Sequence, residues 1–413
     1  MTVNYFRRGY CGGFATDLFK RGVTKKRTGT KKIVVSLFLL GILGVSMIDL
    51  NSYNMKNIKS FLADQVSNHQ TPSIQYYFFD TDSIIFGLSE GFKNIKSKEP
   101  VDSSTTYHLY SITKTFTALA VLQLAEAGKV ELTKSVHDYL DDFPYTEKIT
   151  IEQLLSHTAG IPNPLPLKWI HLATEHSRFE RNQFFEEVFK DNPKLEFEPG
   201  TKFKYSNLGY VILGQLVERV SGQSLEDYIG ENIIQRSNIA PSDLSFAIDP
   251  STHATGYHKW WSFGNAFFGL LIDKAKFMGK REGRWKPFNF FYNNGTAYGG
   301  MFGSPNGLIG YAQALLRNNS VLLGNKYKQK LFAETSAGNR STGMALSWFT
   351  GMLKGNKYLA HAGGGGGYYV EIRIYPQLGV GSVIMYNRSG MTDERILDKA
   401  DGFFIAESST LSR

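Results

Sequence analysis

Tyr110-Ser111-Ile112-Thr113-Lys114-Thr115-Phe116 contains the only Ser-x-x-Lys of the chain. The residues after it, Thr117-Ala118-Leu119-Ala120-Val121-Leu122-Gln123-Leu124-Ala125-Glu126-Ala127, are apolar nearly all round and stop at Gly128. This pattern predicts a buried helix with Ser111 in its first turn. Positions i and i+3 share a helical face, so Lys114 reaches the Ser111 hydroxyl. A serine hydroxyl is a poor nucleophile until a neighbouring base takes its proton. A lysine withdrawn from water can lose its own proton and serve as that base. The helix N-terminus also presents backbone N–H groups where an oxyanion would form. Ser-x-x-Lys arises by chance about twice in a chain of this length, so its company decides its meaning.

A chain of 413 residues has room for two lobes and a large core, and 42% hydrophobic with 20% charged residues is ordinary for a folded protein. The formal charge of +9 is unevenly spread. Residues 1–32 hold nine Lys/Arg against Asp17 alone, a surplus of eight, which leaves the remainder near +1. A nucleic-acid partner would have only this tail to bind, and none is expected. The single cysteine, Cys11, excludes an intrachain disulfide and a cysteine-based metal site. The histidines lack metal-ligand spacing, so neither metal nor cofactor is expected.

Residues 33–48 form an uncharged, mostly apolar run of 16 closed by Asp49. A spanning helix needs about 20 residues and a signal-peptide core about 7–15. The run lies between them. Positive charge ahead of it favours a cytoplasmic tail (1–32), a signal anchor or signal-peptide core (33–48) and a linker (49–56), with the catalytic domain outside the membrane. A start near Met55 would instead leave a cytoplasmic protein.

Further along, Ser73–Phe79 and Ser83–Gly87 are aromatic and β-branched around Asp80-Thr81-Asp82, a hairpin pattern. Ile149–Pro162 reads as a short capped helix, 163–198 as helical and polar, and Leu208–Val220 as an apolar helix before Gly222. Residues 256–298 crowd aromatic side chains among Lys and Arg, which suits either an insertion packed on the body or a lid or lipid-resting surface. Residues 358–361, 368–375 and 380–386 return to strands, and 391–408 to a helix. Strands at both ends with helices between them imply an α/β (α+β) fold. Both chain ends would form an antiparallel sheet flanked by helices, around an inserted, mostly helical lobe.

Ser111-x-x-Lys114, Tyr205-x-Asn207 and His361-Ala362-Gly363-Gly364 stand in an order that resembles the serine beta-lactamase-like family: class C beta-lactamases, D,D-peptidases and related esterases. Leu154–Pro162, Pro199-Gly200-Thr201 and Gly299-Gly300 are similar to that family as well, and the likeness runs over about 57–408. It implies a two-step acyl transfer. Ser111 would attack a carbonyl, Lys114 would hold or take its proton, and Tyr205 would carry a proton to the leaving group and later activate water. Asn207 would orient Lys114 or the substrate amide. The backbone N–H groups of Ser111 and Gly364 would form the oxyanion hole, and Gly363 and His361 would line the substrate. A lysine ammonium beside Tyr205 would favour the phenolate of a group that ordinarily titrates at about 10. A second Tyr-x-Asn, Tyr292-Asn293-Asn294, is set aside because it lies in the aromatic tract.

His361 marks the departure. The beta-lactamases and penicillin-binding enzymes carry Lys-Thr-Gly or Lys-Ser-Gly there, and a neutral imidazole anchors a carboxylate less well than an ammonium. Histidine at this place is common among the esterase and peptidase-like members. The expected partner is therefore a small-molecule or peptide-like ester or amide, with ester hydrolysis leading. A D,D-peptidase or weak beta-lactamase stands second, and a non-catalytic binding protein third. No Gly-x-Ser-x-Gly elbow is present, which argues against an alpha/beta-hydrolase. His157 is expected to be structural.

Overall fold

A computed structural model describes residues 55–145, 148–164, 166–260, 273–389 and 396–407. The chain divides into two units, Met1–Ser60 and Phe61–Arg413. In the first, the described residues 55–60 are helical. The second carries everything that follows.

Its sheet is built by both ends of the unit. Strands β1 (Ser73–Asp80), β2 (Ile84–Asn94), β3 (Glu99–Pro100), β4 (Phe349–Leu353), β5 (Asn356–Gly364), β6 (Tyr369–Tyr375) and β7 (Val380–Tyr386) stand in the order β4-β5-β6-β7-β1-β2-β3. All neighbours are antiparallel, and the closure pairs Tyr76 with Ile384 and Phe78 with Ser382. The hairpin turn forms because Asp80 Oδ1 accepts the N–H groups of Asp82 and Ser83 at 2.8 and 2.7 Å. Alternation then sorts β1 between two layers. Tyr77 and Phe79 join the main core. Tyr76 and Phe78 face the C-terminal segment, where the Phe78 and Phe404 rings stack at 4.5 Å and the Tyr76 hydroxyl donates to Asp401.

On the main-core side lies helix α1 (Thr113–Glu126), buried at every position from Thr113 to Ala125. Its apolar residues point all round because neighbours cover it on all sides. Leu119 is fully enclosed, so Leu119→Ala removes contacts worth about 2–5 kcal/mol. Ser111 sits one step earlier than expected, in a tight 3-10 turn at Tyr110–Ile112 that runs into α1.

Three local expectations need revision. The helix α2 (Ile151–Leu155) has the anticipated cap, with Thr150 and Gln153 bonding reciprocally, but it stops well before Gly160. His157 has φ +57°, a left-handed conformation that ends the helix. Residues 163–198 are not uniformly helical: Ile170–Leu172 is a strand paired with Phe291–Asn293, and a helix occupies Arg181–Asp191. At the C-terminus the described helix is only Ile396–Asp401. The 256–298 tract packs into the body where it is described. Tyr257–Lys259 pairs with Trp285–Pro287, and Phe277, Met278, Phe288 and Phe291 are buried in the core. Residues 261–272 lie outside the described residues.

The expected membrane placement is corrected. Among the described residues no helix is long and apolar enough to cross a membrane. The run at 33–48 lies outside the described residues. The single-pass, extracytoplasmic localisation drawn from that run, and the membrane as a partner, are therefore withdrawn.

Candidate active site

Ser111 projects from its turn with partial exposure, while Lys114, one turn on, has none. The preceding Tyr110 is strained at φ +46°, and its hydroxyl is tied to the Gly366 carbonyl at 2.8 Å. The rim of β5 closes over this turn. A Cβ built on Gly363 would fall 1.9 Å from the Leu109 carbonyl oxygen and 3.2 Å from the Ser111 nitrogen, so only glycine lets the strand approach. Gly364 is the exposed last residue of β5. The glycine run thus lets a strand edge lie against the serine turn.

Lys114 Nζ has three neighbours: Ser111 Oγ at 3.3 Å, Asn207 Oδ1 at 2.8 Å and the Tyr298 carbonyl oxygen at 2.9 Å. Asn207 opens helix α3 (Asn207–Ser221), whose N-cap Ser206 accepts the Gly209 N–H. Tyr298 belongs to a short helical turn, Thr296–Gly299, held by Arg181 through Thr296 at 2.5 Å. Burial drives the Lys114 pKa well below the ordinary lysine value. A neutral amine has two N–H groups, and the two carbonyl oxygens occupy both. Its lone pair is then left for the Ser111 hydroxyl.

Tyr205 packs its ring 4.8 Å from Lys114 Nζ. The residue is partly exposed, but its hydroxyl is buried and makes no hydrogen bond of ordinary geometry. Burial pushes its pKa up, and the nearby Ser111 side chain pulls it only partly back. The phenolate expectation therefore fails. Desolvation raises Tyr205 above the ordinary phenol value, which favours the protonated hydroxyl.

His361, on β5, is buried, with its ring centroid 6.4 Å from that of Tyr205. Its Nδ1 lies 3.0 Å from the Ala362 carbonyl oxygen, so Nδ1 carries the proton and Nε2 presents a lone pair. Nε2 has no partner. Burial, reinforced by Lys114, lowers its pKa to about 3. The imidazole is neutral.

These neighbourhoods bring Ser111, Lys114, Tyr205, Asn207, His361 and Gly363 together, with Gly364 at the adjoining strand end. The set-aside Tyr292-Asn293-Asn294 is engaged elsewhere: Asn294 bonds His171 and Asn293 bonds the Gly299 carbonyl. Sequence reasoning missed two neighbours. The Tyr298 carbonyl carries no side-chain signal, and the adjoining Gly299-Gly300 entered only as part of the family likeness. His157, expected to be structural, lies with its ring centroid 4.3 Å from that of Tyr205.

The profile of the family described as Beta-lactamase matches residues 57–406. The chain belongs to this family. Protein flp of Staphylococcus aureus (strain MRSA252) is 26% identical over 216 residues, which cover 50% of this chain and 42% of flp. The match thus spans less than half of that relative. Among solved structures, the octameric penicillin-binding protein homologue from Pyrococcus abyssi superposes with a TM-score of 0.69 at 22% identity, covering 86% of this chain and 78% of the other. The D-amino acid amidase from Ochrobactrum anthropi SV3, complexed with L-phenylalanine amide, gives 0.68 at 16% identity, with 85% and 96% covered. At these identities the structures establish the shared fold.

Proposed function

We propose that the protein hydrolyses an uncharged ester or amide, esters first, through an acyl-enzyme on Ser111. Lys114 takes the Ser111 proton as Oγ bonds to the substrate carbonyl carbon. The resulting oxyanion is held by the N–H groups of Ser111 and Gly364; losing one such donor lowers rates by about 10²–10³. Collapse breaks the bond to the leaving group, which receives a proton from the Tyr205 phenol. That group stays protonated until needed because it is buried. Lys114 then passes the serine-derived proton back to Tyr205. In the second half water attacks the acyl carbon, Tyr205 and Lys114 relay its proton, and Oγ leaves as the serine hydroxyl. Asn207 keeps one Lys114 N–H directed away from Ser111.

The observation that carries the ester preference is the neutral His361. Its proton is committed to the Ala362 carbonyl, so the strand offers a carboxylate no cation at that position. The lysine of the antibiotic-hydrolysing relatives would supply one. A D,D-peptidase or amidase activity stays the second reading, supported by the penicillin-binding and amidase structures that share the fold. The test is a substrate panel on the full chain: p-nitrophenyl butyrate, D-phenylalanine amide and a fluorescent penicillin. The ester should turn over fastest, with no lasting penicillin adduct. A stable penicillin adduct on Ser111, or amide turnover exceeding that of the ester, would replace the ester reading.

A further inference from the structure

His157 brackets the segment that delivers Tyr205. Its carbonyl oxygen accepts the Lys204 N–H at 2.9 Å. Its Nδ1 accepts the Ser206 N–H at 3.1 Å. Tyr205 lies between these two anchors, and its ring rests on the imidazole at 4.3 Å with a tilt of 33°. The same turn continues the clamp. The Pro162 carbonyl accepts Ser206 Oγ at 2.9 Å, and Asn163 Oδ1 accepts the Asn207 N–H at 2.9 Å.

Two features separate His157 from an ordinary core histidine. It holds a left-handed backbone conformation at φ +57°, which few non-glycine residues adopt and which asparagine, aspartate and histidine tolerate best among them. Its Nε2 is buried with no partner, whereas Nδ1 is committed as an acceptor. A ring placed only for packing has no need of a buried, unsatisfied N–H. Here the acceptor faces one N–H, so the opposite nitrogen must carry the proton, and the ring itself lies among Tyr205, Tyr210 and Phe203.

We infer that His157 is a positioning residue for Tyr205: its Nδ1 and carbonyl oxygen fix the Lys204–Ser206 backbone, and its ring fixes the Tyr205 phenol toward Ser111. This rests on the acyl-enzyme reading above, in which Tyr205 moves protons. The role demands an acceptor at Nδ1, a left-handed backbone and no charge.

The test uses His157→Gly and His157→Asn in the full chain, each alone and with Tyr205→Phe, with p-nitrophenyl butyrate as the probe. Both replacements tolerate φ +57°. Glycine removes the acceptor, and the asparagine Oδ1 can take its place. His157→Gly should lower kcat about 10–100-fold with KM changed by less than about threefold, and His157→Asn should recover at least about half of the parental kcat. In the Tyr205→Phe background His157→Gly should have no further effect, because the two act through one group. A kcat within about twofold of the parent, or a full multiplicative loss on top of Tyr205→Phe, would overturn the inference. If the glycine variant does not fold, an asparagine variant as slow as Tyr205→Phe overturns it as well. Failure of the acyl-enzyme reading looks different: Tyr205→Phe alone would then leave kcat unchanged.

Discussion

The two faces of the sheet's surroundings each hold a buried polar cluster, and they are built on opposite plans. Behind β1, β6 and β7, Asp401 accepts from the Tyr76, Tyr375 and Ser382 hydroxyls at 2.9, 2.7 and 2.9 Å. Beside it Arg373 is paired with both Glu371 and Asp398. Around Ser111 the contrary holds: Tyr205 Oη, Tyr298 Oη, His157 Nε2 and His361 Nε2 are buried without hydrogen-bond partners. An unpaired buried polar group costs about 1–3 kcal/mol. The completed cluster fastens the C-terminal helix, α4 (Ile396–Asp401), to the sheet. The incomplete one is where chemistry is proposed.

Substitutions in the two clusters should therefore move different quantities. Tyr205→Phe removes a proton carrier, and general acid–base groups contribute about 10²–10⁴ in rate. Ester turnover should fall by that order while the thermal midpoint stays level or rises, since an unpaired hydroxyl is removed. Turnover assays and thermal melts on one preparation decide it; unchanged kinetics would point to another proton carrier.

Asp401→Asn should do the reverse. Asparagine keeps only one of the two acceptor oxygens that the three hydroxyls use, and stability should drop by about 1–3 kcal/mol with kcat held. Denaturant titration beside the ester assay measures both. A variant that keeps its stability but loses activity would break the contrast.

The smallest effect is on pH. Burial raises the Asp401 pKa to about 6, above its unfolded value. Between the unfolded and folded pKa the native state holds a proton that the unfolded chain has released, so Asp401 adds stability as pH falls through about 6 toward 4. His361 has the opposite sign. Its folded pKa of about 3 lies below the unfolded value, so the unfolded chain binds the proton first and stability falls from about pH 6.5 downward. Asp401→Asn should therefore steepen acid destabilisation between about pH 6 and 4, as read from denaturant midpoints. An unchanged slope would contradict the assignment to Asp401.

Much of this was open to sequence reading because it is local. An apolar helix behind Ser-x-x-Lys, an Asp-Thr-Asp turn between aromatic runs and a run of glycines each announce themselves within a dozen residues. Strand β4 escaped notice because Phe349–Leu353 is short, interrupted by Gly351 and only partly buried. The strand Ile170–Leu172 was hidden for another reason: its partner, Phe291–Asn293, is far along the chain. The same holds for His157. Its meaning comes from a bond to Ser206, 49 residues away, and nothing in Leu-Ser-His-Thr tells an anchoring imidazole from a packed one. The raised pKa of Tyr205 comes from burial, which the sequence does not quantify.

The measurement that bears most directly on the central proposal is intact-protein and peptide mass spectrometry after treating the full chain with a fluorophosphonate, with Ser111→Ala alongside. One phosphonyl adduct per chain, mapped to Ser111 and lost in Ser111→Ala together with ester turnover, is the predicted result. A folded protein that takes no adduct, or an alanine variant that still hydrolyses the ester, would contradict it.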